Sequence, residues 1–231
     1  MRFVLMLICL STFVFGSEAF LVGISGGSGS GKTTIARRLN EAFPDHSVVI
    51  AQDNYYKDLS YLPMQERKFT NFDHPDSIEF TLMKDQLIAL KRMQRISMPQ
   101  YDFSFHTRLP NTVSVEPKQI VIVEGLLLLA DPEIRDLLDI KLYVDTPEDM
   151  RLCRRINRDQ AERSRSVTSI LSQYLATVRP MHIEFIEPSK QHADVIIPEG
   201  GHNEKAIDIV IAKLKSELMP KTCIDAVAAL N

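Results

Sequence analysis

The sequence predicts an α/β fold in which a five-stranded parallel sheet is flanked by helices. Five short runs of apolar, often β-branched residues recur along the 231-residue chain, as is typical of strands buried on both faces of a parallel sheet. The stretches between these runs place apolar residues at three- and four-residue spacing, which indicates amphipathic helices. Strands that alternate with helices in this way form a parallel sheet with helical connections.

The predicted elements follow one another in regular order. The strands are residues 20–25, 47–52, 119–124, 140–145 and 193–198. The helices are residues 34–43, 81–94, 147–161, 167–184 and 203–219. Pro147 is tolerated in the first turn of its helix, and Asp145 and Thr146 are the candidate caps.

One segment departs from this order. Residues 98–108 and 111–116 alternate in polarity on either side of Leu109 and Pro110, which predicts a small inserted β-hairpin beside the main sheet. We expect residues 20–219 to form one domain, and residues 220–231 to be a loosely held tail.

Composition restricts the class of protein. Hydrophobic residues make up 45% and charged residues 25% of the chain, and its net charge is -3. The chain can therefore bury a substantial core, and its bulk charge does not favour polyanions. Its three cysteines, Cys9, Cys153 and Cys223, are widely spaced and exclude both a disulfide framework and a cysteine-based zinc site. We expect a reducing compartment.

The strongest motif follows the first predicted strand. The sequence GGSGSGKT at residues 26–33 has the form G-x-x-x-x-G-K-[ST] and opens a predicted helix, as this nucleotide-binding loop requires. Backbone N–H groups of such a loop cradle phosphate oxygens. Lys32 would reach the β- and γ-phosphates, and the Thr33 hydroxyl would bind Mg²⁺. The predicted nucleotide-binding residues here are Gly26, Gly27, Ser28, Gly29, Ser30, Gly31, Lys32, Thr33 and Thr34.

Two carboxylates are expected at the same edge of the sheet. Asp53 follows the second strand and Glu124 ends the third, and ligands of open α/β sheets bind beyond the carboxyl ends of the strands. Beside a phosphate-bound Mg²⁺, one carboxylate would serve the metal and the other would accept the proton of an alcohol. The alternative for each acid alone is a helix cap or a solvated loop residue.

A run of arginines follows the fourth strand, at Arg151, Arg154, Arg155, Arg158, Arg163 and Arg165. A solvated basic face is the ordinary explanation of such a run. Nucleic-acid binding is not expected, because the chain is slightly acidic and the segment contains no aromatic residue. Phosphoryl transfer uses guanidinium groups that close over the triphosphate. We therefore interpret residues 158–165, between two predicted helices, as a mobile lid.

Aromatic residues concentrate in the two segments that the α/β pattern does not need. They are Tyr55, Tyr56, Phe72, Tyr101 and Phe103, together with His106. The chain has no tryptophan, so stacking on a base would fall to these side chains. The alternatives are a structural histidine at position 106 and a simple turn or helix start at residues 73–76.

The N-terminus has the outline of a secretory signal. Met1 and Arg2 precede an apolar run at residues 3–15 and then small residues, and the run is too short to span a bilayer. The alternative is a miscalled start ahead of a cytosolic domain. Because the motifs indicate a consumer of ATP and Mg²⁺, we expect a cytoplasmic protein without stable membrane association. Residues 1–19 are then an N-terminal extension.

These segments together resemble the bacterial uridine kinase (uridine–cytidine kinase) family over residues 20–218. The resemblance rests on GGSGSGKTT at residues 26–34, QDNYYK at 52–57, NFDHPD at 71–76, PQYDF at 99–103, VEGLL at 123–127, VDTP at 144–147, RRINRD at 154–159 and VRPM at 178–181. The nucleotide-binding loop alone is generic, whereas the Asp-His-Pro and Tyr-Asp-Phe segments are specific to this branch.

The resemblance implies a tetrameric P-loop kinase of uridine and cytidine that uses ATP or GTP with Mg²⁺ and is restrained by CTP or UTP. It implies that Asp53 is the base for the 5′-hydroxyl, with Lys32 and Arg158 as further catalytic residues. Thr33, Asp53 and Glu124 would organise the metal. The remaining implied contacts are Asp73, Arg155 and Gln173 for the ribose, Tyr101 and His106 for the pyrimidine, Tyr56 and Phe103 for packing, and Arg158, Arg163 and Arg165 for the phosphates.

Two features depart from the family pattern. Ser164 stands where the lid usually carries a glycine, and the hydrophobic leader has no counterpart.

The nearest rival activity is the phosphorylation of a sugar phosphate, as by phosphoribulokinase, which would require a second phosphate site. A nucleotide-dependent switch is disfavoured because the chain lacks an Asn-Lys-x-Asp segment. A third alternative is an exported or membrane-tethered binding protein.

Overall fold

The computed structural model describes residues 18–67 and 69–218. The expectations for a leader and a C-terminal tail therefore fall almost entirely outside the described residues. The strands are β1 (Phe20–Ser25), β2 (Ser47–Ala51), β3 (Ile96–Met98), β4 (Tyr101–Asp102), β5 (Thr107–Arg108), β6 (Val113–Val115), β7 (Ile120–Glu124), β8 (Ile140–Asp145) and β9 (Val195–Pro198). Five of them form one sheet in the order β2-β7-β1-β8-β9. All its neighbours pair in parallel, so the predicted parallel sheet is confirmed.

The helices connect these strands. They are α1 (Lys32–Ala42), α2 (Met64–Arg67), α3 (Phe80–Lys91), α4 (Pro132–Leu137), α5 (Glu148–Arg163), α6 (Val167–Gln173), α7 (Arg179–Met181), α8 (Glu187–Ser189) and α9 (Glu204–Leu218). The wider π-helical turns Tyr174–Val178 and His182–Ile186 join α6, α7 and α8 into one continuous helical segment. The short helix α4 was not predicted, because six residues do not establish a helical period.

The sheet is buried on both faces, which explains its nearly continuous apolar runs. One face packs on α1 and α9, through side chains such as Ile35, Leu39 and Val210. The opposite face packs on α3 and α4 and on the segment that contains Ile186, with Leu87 and Ile134 in this second cluster. The arrangement leaves the carboxyl edge of the sheet for the loops that follow β1, β2 and β7.

The inserted hairpin is present, but the predicted reversal at Leu109 and Pro110 is wrong. Strand β3 pairs with β6 and β4 pairs with β5, both antiparallel, so the tip lies at residues 103–106. The Asp102 carboxylate accepts hydrogen bonds from the backbone N–H groups of Ser104 and Phe105, which forms the turn there. The N–H of Leu109 donates to the carbonyl of Gln100 at 2.8 Å, so this residue belongs to the ladder.

The start and end of α5 also differ from expectation. Pro147 itself is the residue before the first turn, and neither predicted cap side chain caps the helix. Asp145 instead pairs with Lys190, and the Thr146 hydroxyl donates to the carbonyl of Ser30. The helix extends to Arg163 rather than ending near residue 161. The lid arginines Arg158 and Arg163 therefore lie on α5, and only residues 164–166 separate it from α6.

Candidate active site

The glycine-rich loop lies between β1 and α1, as the motif predicts. Gly29 and Gly31 have φ values of 78° and 102°, a left-handed backbone that favours glycine. Gly27 lies directly against the Arg151 guanidinium, so that a side chain at position 27 would collide with it. The loop therefore keeps its backbone uncovered on the side where α1 begins, as phosphate binding requires.

Lys32 and the two predicted carboxylates form the centre of the site. The buried Lys32 side chain donates from Nζ to the carbonyl of Gly27 at 3.1 Å. Burial lowers the pKa of Lys32, while the charges of Glu124 and Asp53 oppose that shift. One ammonium group thus lies within electrostatic reach of both acids, which lie at the ends of β2 and β7 at the same edge of the sheet.

A one-turn helix at Gln52–Tyr55 places Asp53 at this centre. The buried Gln52 side chain accepts a hydrogen bond from the N–H of Leu127 at 2.9 Å, which ties the end of β2 to the loop after β7. Burial raises the pKa of Asp53, whereas the charges of Lys32 and Arg163 lower it. The carboxylate is therefore held close to cations in a poorly solvated position, the environment of a general base.

The Thr33 hydroxyl at the start of α1 and the Glu124 carboxylate at the end of β7 fit a magnesium ion. Thr33 Oγ1 donates to Glu124 Oε1 at 3.2 Å, and burial raises the pKa of Glu124. Among the described residues, no group of three or more His, Cys, Asp or Glu side chains could hold a metal. Mg²⁺ does not need such a cage, since it is usually held by one or two protein oxygens, phosphate oxygens and water.

The aromatic residues of the two extra segments form one contiguous cluster. Tyr56 lies 5.2 Å from Tyr101 between ring centroids, and Tyr101 lies 5.4 Å from Phe103. Phe72 stacks on His106 at 5.1 Å. Burial lowers the pKa of His106, and the charges of Arg165 and Arg163 lower it further. A neutral imidazole in this position can both donate and accept hydrogen bonds.

Asp73 and Arg155 connect this cluster to the glycine-rich loop. Both side chains are buried, and burial raises the pKa of Asp73 while the charge of Arg155 lowers it. The Arg155 guanidinium donates to Ser28 Oγ at 2.8 Å and to Gln173 Oε1 at 2.9 Å. The structure thus brings together the residues that the resemblance implies for a ribose.

The arginine run divides into two groups. Arg155, Arg158, Arg163 and Arg165 converge on the fully buried carboxylate of Asp159, so the alternative of a solvated basic face is wrong for them. No motif in the sequence indicates a role for Asp159. Its position four residues after Arg155, inside a run of arginines, was the available signal. Arg155, Arg158 and Arg163 lie on α5 with Asp159, and only Arg165 follows the end of the helix.

Arg151 forms the second group, because its guanidinium packs against Gly27 of the glycine-rich loop. Its guanidinium donates from Nε to the carbonyl of Thr146 and lies 3.0 Å from His182 Nε2. A cavity of about 340 Å³ lies beside these side chains. Sequence analysis did not identify His182, which becomes adjacent to Arg151 only when the π-helical segment packs against α5.

The parallel sheet carries a Walker-type loop at the end of its first strand, and two carboxylates and a cluster of arginines lie at the same edge. These features together define a P-loop kinase fold. The chain belongs to the phosphoribulokinase/uridine kinase family, whose model matches residues 21–206. It is 52% identical over 198 residues to a uridine kinase from Clostridium perfringens, a match that covers 85% of this chain and 95% of the relative. It is 48% identical to a uridine kinase from Geobacillus sp. over 208 residues, or 90% and 99% of the two chains.

The solved structure of phosphoribulokinase from Rhodobacter spheroides shares the fold. Its TM-score is 0.58 at 14% sequence identity, and the match covers 79% of this chain and 70% of that one. At that identity the likeness concerns the fold alone. In the part of the chain that the structure describes, no helix combines the length and apolarity that a membrane crossing would need.

Proposed function

We propose that this protein transfers the γ-phosphoryl group of ATP to the 5′-hydroxyl of uridine or cytidine. One observation carries the proposal: Asp53 lies between the Lys32 ammonium of the nucleotide loop and the aromatic cluster that begins at Tyr56. The identity of about half to relatives named uridine kinase, over most of the chain, supports the same substrate class.

The proposed chemistry divides between the two sides of Asp53. The loop at residues 26–34 and Lys32 bind the triphosphate. Thr33 and Glu124 would hold Mg²⁺, which would neutralise charge on the phosphates. Asp53 accepts the proton of the attacking hydroxyl. Burial raises its pKa, which makes it a stronger base than a solvated aspartate, and the charges of Lys32 and Arg163 favour its ionised form. Arg158, Arg163 and Arg165 stabilise the charge on the transferring group.

The acceptor nucleoside would lie in the aromatic cluster. Tyr101 and His106 hydrogen-bond the pyrimidine edge, and Tyr56 and Phe103 pack on the nucleoside. In support, the Tyr101 hydroxyl is buried and has no hydrogen-bond partner among the described residues, so it is available to a ligand. Asp73, Arg155 and Gln173 hold the ribose hydroxyls.

The wider setting is part of the proposal. We place the enzyme in pyrimidine salvage in the cytoplasm, as a homotetramer of a single kinase domain at residues 20–219, with ATP or GTP as donor. The reaction makes UMP and CMP, the pathway end products CTP and UTP restrain the enzyme, and nucleic acids and membranes are not partners. Sedimentation in the presence and absence of CTP tests the assembly, and inhibition by CTP tests the feedback.

The decisive experiment is steady-state turnover with different acceptors, measured as ADP release. Uridine, cytidine, thymidine, adenosine and ribulose 5-phosphate form the panel. We expect turnover with uridine and cytidine only. Turnover with ribulose 5-phosphate alone would replace the proposed acceptor by a sugar phosphate. Retained ATP binding without turnover of any acceptor would favour a nucleotide-dependent switch.

Replacement of the proposed base tests the mechanism. Asp53→Asn should bind ATP normally but lose about 10²–10⁴-fold in kcat, the usual contribution of a positioned base. Asp45→Asn is the matched control, because Asp45 is exposed in the loop before β2. Turnover of Asp53→Asn within threefold of wild type would remove Asp53 from the role.

A further inference from the structure

Among the described residues, Asp159 is a fully buried charged group that the proposed chemistry does not use. Its carboxylate has no exposed surface. Oδ1 accepts hydrogen bonds from Arg158 Nε at 2.9 Å and Nη2 at 2.8 Å, and Arg163 Nη1 lies 3.7 Å away. Oδ2 lies 3.3 Å from Arg165 Nη1 and 3.8 Å from Arg155 Nε. A single anion thus contacts four cations.

The four arginines extend from this anion in different directions. Arg155 continues to Ser28 of the nucleotide loop, and the Arg163 guanidinium lies 5.5 Å from the centroid of the Phe103 ring in the hairpin. Arg165 donates to Gln173 Oε1 at 2.6 Å. Asp159 is therefore the common anchor of side chains that reach the donor loop, the acceptor hairpin and α6.

The anchor remains ionised at the pH at which a kinase works. Burial alone would raise the pKa of Asp159, but hydrogen bonding to Arg158 and the charges of Arg155 and Arg163 outweigh it and lower the pKa. Without this charge the four guanidinium groups would repel one another across a poorly solvated site. Their side chains would then adopt several orientations instead of one.

We propose that Asp159 is a positioning residue for phosphoryl transfer, which orients the guanidinium groups of Arg158, Arg163 and Arg165 toward the transferring phosphoryl group. The inference rests on the proposed kinase function. Oriented cations act on the charge that develops in the transition state, and they need no reorganisation if they are held beforehand. Asp159 does not touch the substrates and acts through the arginines.

Asp159→Asn is the informative substitution, because an amide keeps the shape but replaces one acceptor oxygen by a donor that faces guanidinium donors. We expect kcat to fall by about 10²-fold, as for loss of one oriented electrostatic group. Among the described residues, Arg155 is the proposed uridine contact that pairs with Asp159, at 3.8 Å, and it is also held by Ser28 and Gln173. The KM for uridine should therefore change by less than about threefold. Glu162→Gln is the control, since it removes the same charge from an exposed position in the same helix.

A double-mutant cycle separates positioning from a merely structural role. If Asp159 acts through these arginines, Asp159→Asn should cost less than about threefold in an Arg158→Gln/Arg163→Gln/Arg165→Gln background, which is treated as one mutation of the cycle and measured in single turnovers. An undiminished cost there, or wild-type kcat in the single variant, would overturn the proposal. If the asparagine variant does not fold, Asp159→Glu keeps the charge but shifts the carboxylate. It should lower kcat at least tenfold with the KM for uridine unchanged, and full activity would again overturn the proposal.

The wild-type acceptor panel distinguishes failure of the positioning role of Asp159 from failure of the proposed kinase function. Uridine turnover that is unaffected by Asp159→Asn overturns the positioning role alone. The same loss of kcat with a different acceptor supports positioning and overturns the uridine assignment. A wild-type protein that phosphorylates no acceptor overturns both.

Discussion

His182 should make the stability of this protein depend steeply on pH in the weakly acidic range. Its side chain is only 6% exposed, and it lies in the π-helical turn His182–Ile186. Its Nε2 lies 3.0 Å from an Arg151 nitrogen, and arginine can only donate. Nε2 is therefore the acceptor, and the ring is neutral in the folded protein.

Burial and the surrounding charges set the size of the pKa shift of His182. Burial and the Arg151 charge lower the pKa of His182 from 6.5 to about 4, and Lys32 acts in the same direction. The acids Glu187 and Glu148 oppose the shift. In the unfolded chain the imidazole keeps its ordinary pKa, so the unfolded state binds the extra proton between pH 6.5 and about 4. The stability that the neutral ring contributes is complete above pH 6.5 and is lost as the pH falls through this window.

The shift corresponds to about 3 kcal/mol at 1.36 kcal/mol per pKa unit. For a chain of this size, 1 kcal/mol moves the melting temperature by roughly 2–4 °C, so the effect is roughly 6–12 °C. His182→Asn cannot take up the proton. Between pH 7 and pH 4 its melting temperature should therefore fall by that much less than the wild-type value.

Differential scanning fluorimetry at constant ionic strength measures both curves, and their difference cancels the titration of the carboxylates. His202→Asn is the control, because His202 is exposed in the segment that precedes α9. The His202→Asn variant should follow the wild-type curve. Parallel wild-type and His182→Asn curves would show that the ring is not held neutral by its surroundings, and the reasoning would fail.

Two further predictions concern the lid and the ribose contact. Ser164 ends α5 with φ 51°, so Ser164→Gly should raise the melting temperature slightly, because relief of about 1–2 kcal/mol of left-handed strain exceeds the roughly 0.5–1 kcal/mol entropic cost of glycine. Ser164→Val should lower it, and equal melting curves for the two variants would contradict this. Asp73→Ala removes a buried carboxylate beside Arg155 and should lower kcat/KM for uridine by about 10–100-fold, the range of a charged hydrogen bond. The kcat/KM for 2′-deoxyuridine should fall less, and an equal loss for both would exclude a contact to the 2′-hydroxyl.

The main sheet and the nucleotide loop could be predicted because their signals are local. Strands buried on both faces are apolar along nearly their whole length, so runs such as Phe20–Ser25 and Ile120–Glu124 can be recognised as strands from the sequence. Gly29 and Gly31 are required by a left-handed backbone at those positions. Asp53 and Glu124 could be paired before the structure because parallel strands end at one edge.

Local signals also existed for features that were interpreted wrongly. The hairpin tip is formed by the Asp102 side chain and two backbone N–H groups, but Pro110 appeared the stronger turn residue. Pro147 was expected inside its helix, whereas Asp145 at the end of β8 is held by Lys190 and is not available as a cap. At α5 a contact from another part of the chain competes with the local preference, whereas at the hairpin tip one local turn signal prevails over another.

The sequence by itself determined the order of strands and helices, the phosphate-binding loop and the family, because each depends on residues that are close along the chain. Only the tertiary structure decided what the charged residues do. Arg151 and Arg155 lie one helical turn apart on α5, yet one contacts His182 behind the loop and the other contacts Ser28 and Asp159 in front of it. The free energy of a buried charge depends on which partners replace its water, and those partners come from segments that only folding brings together.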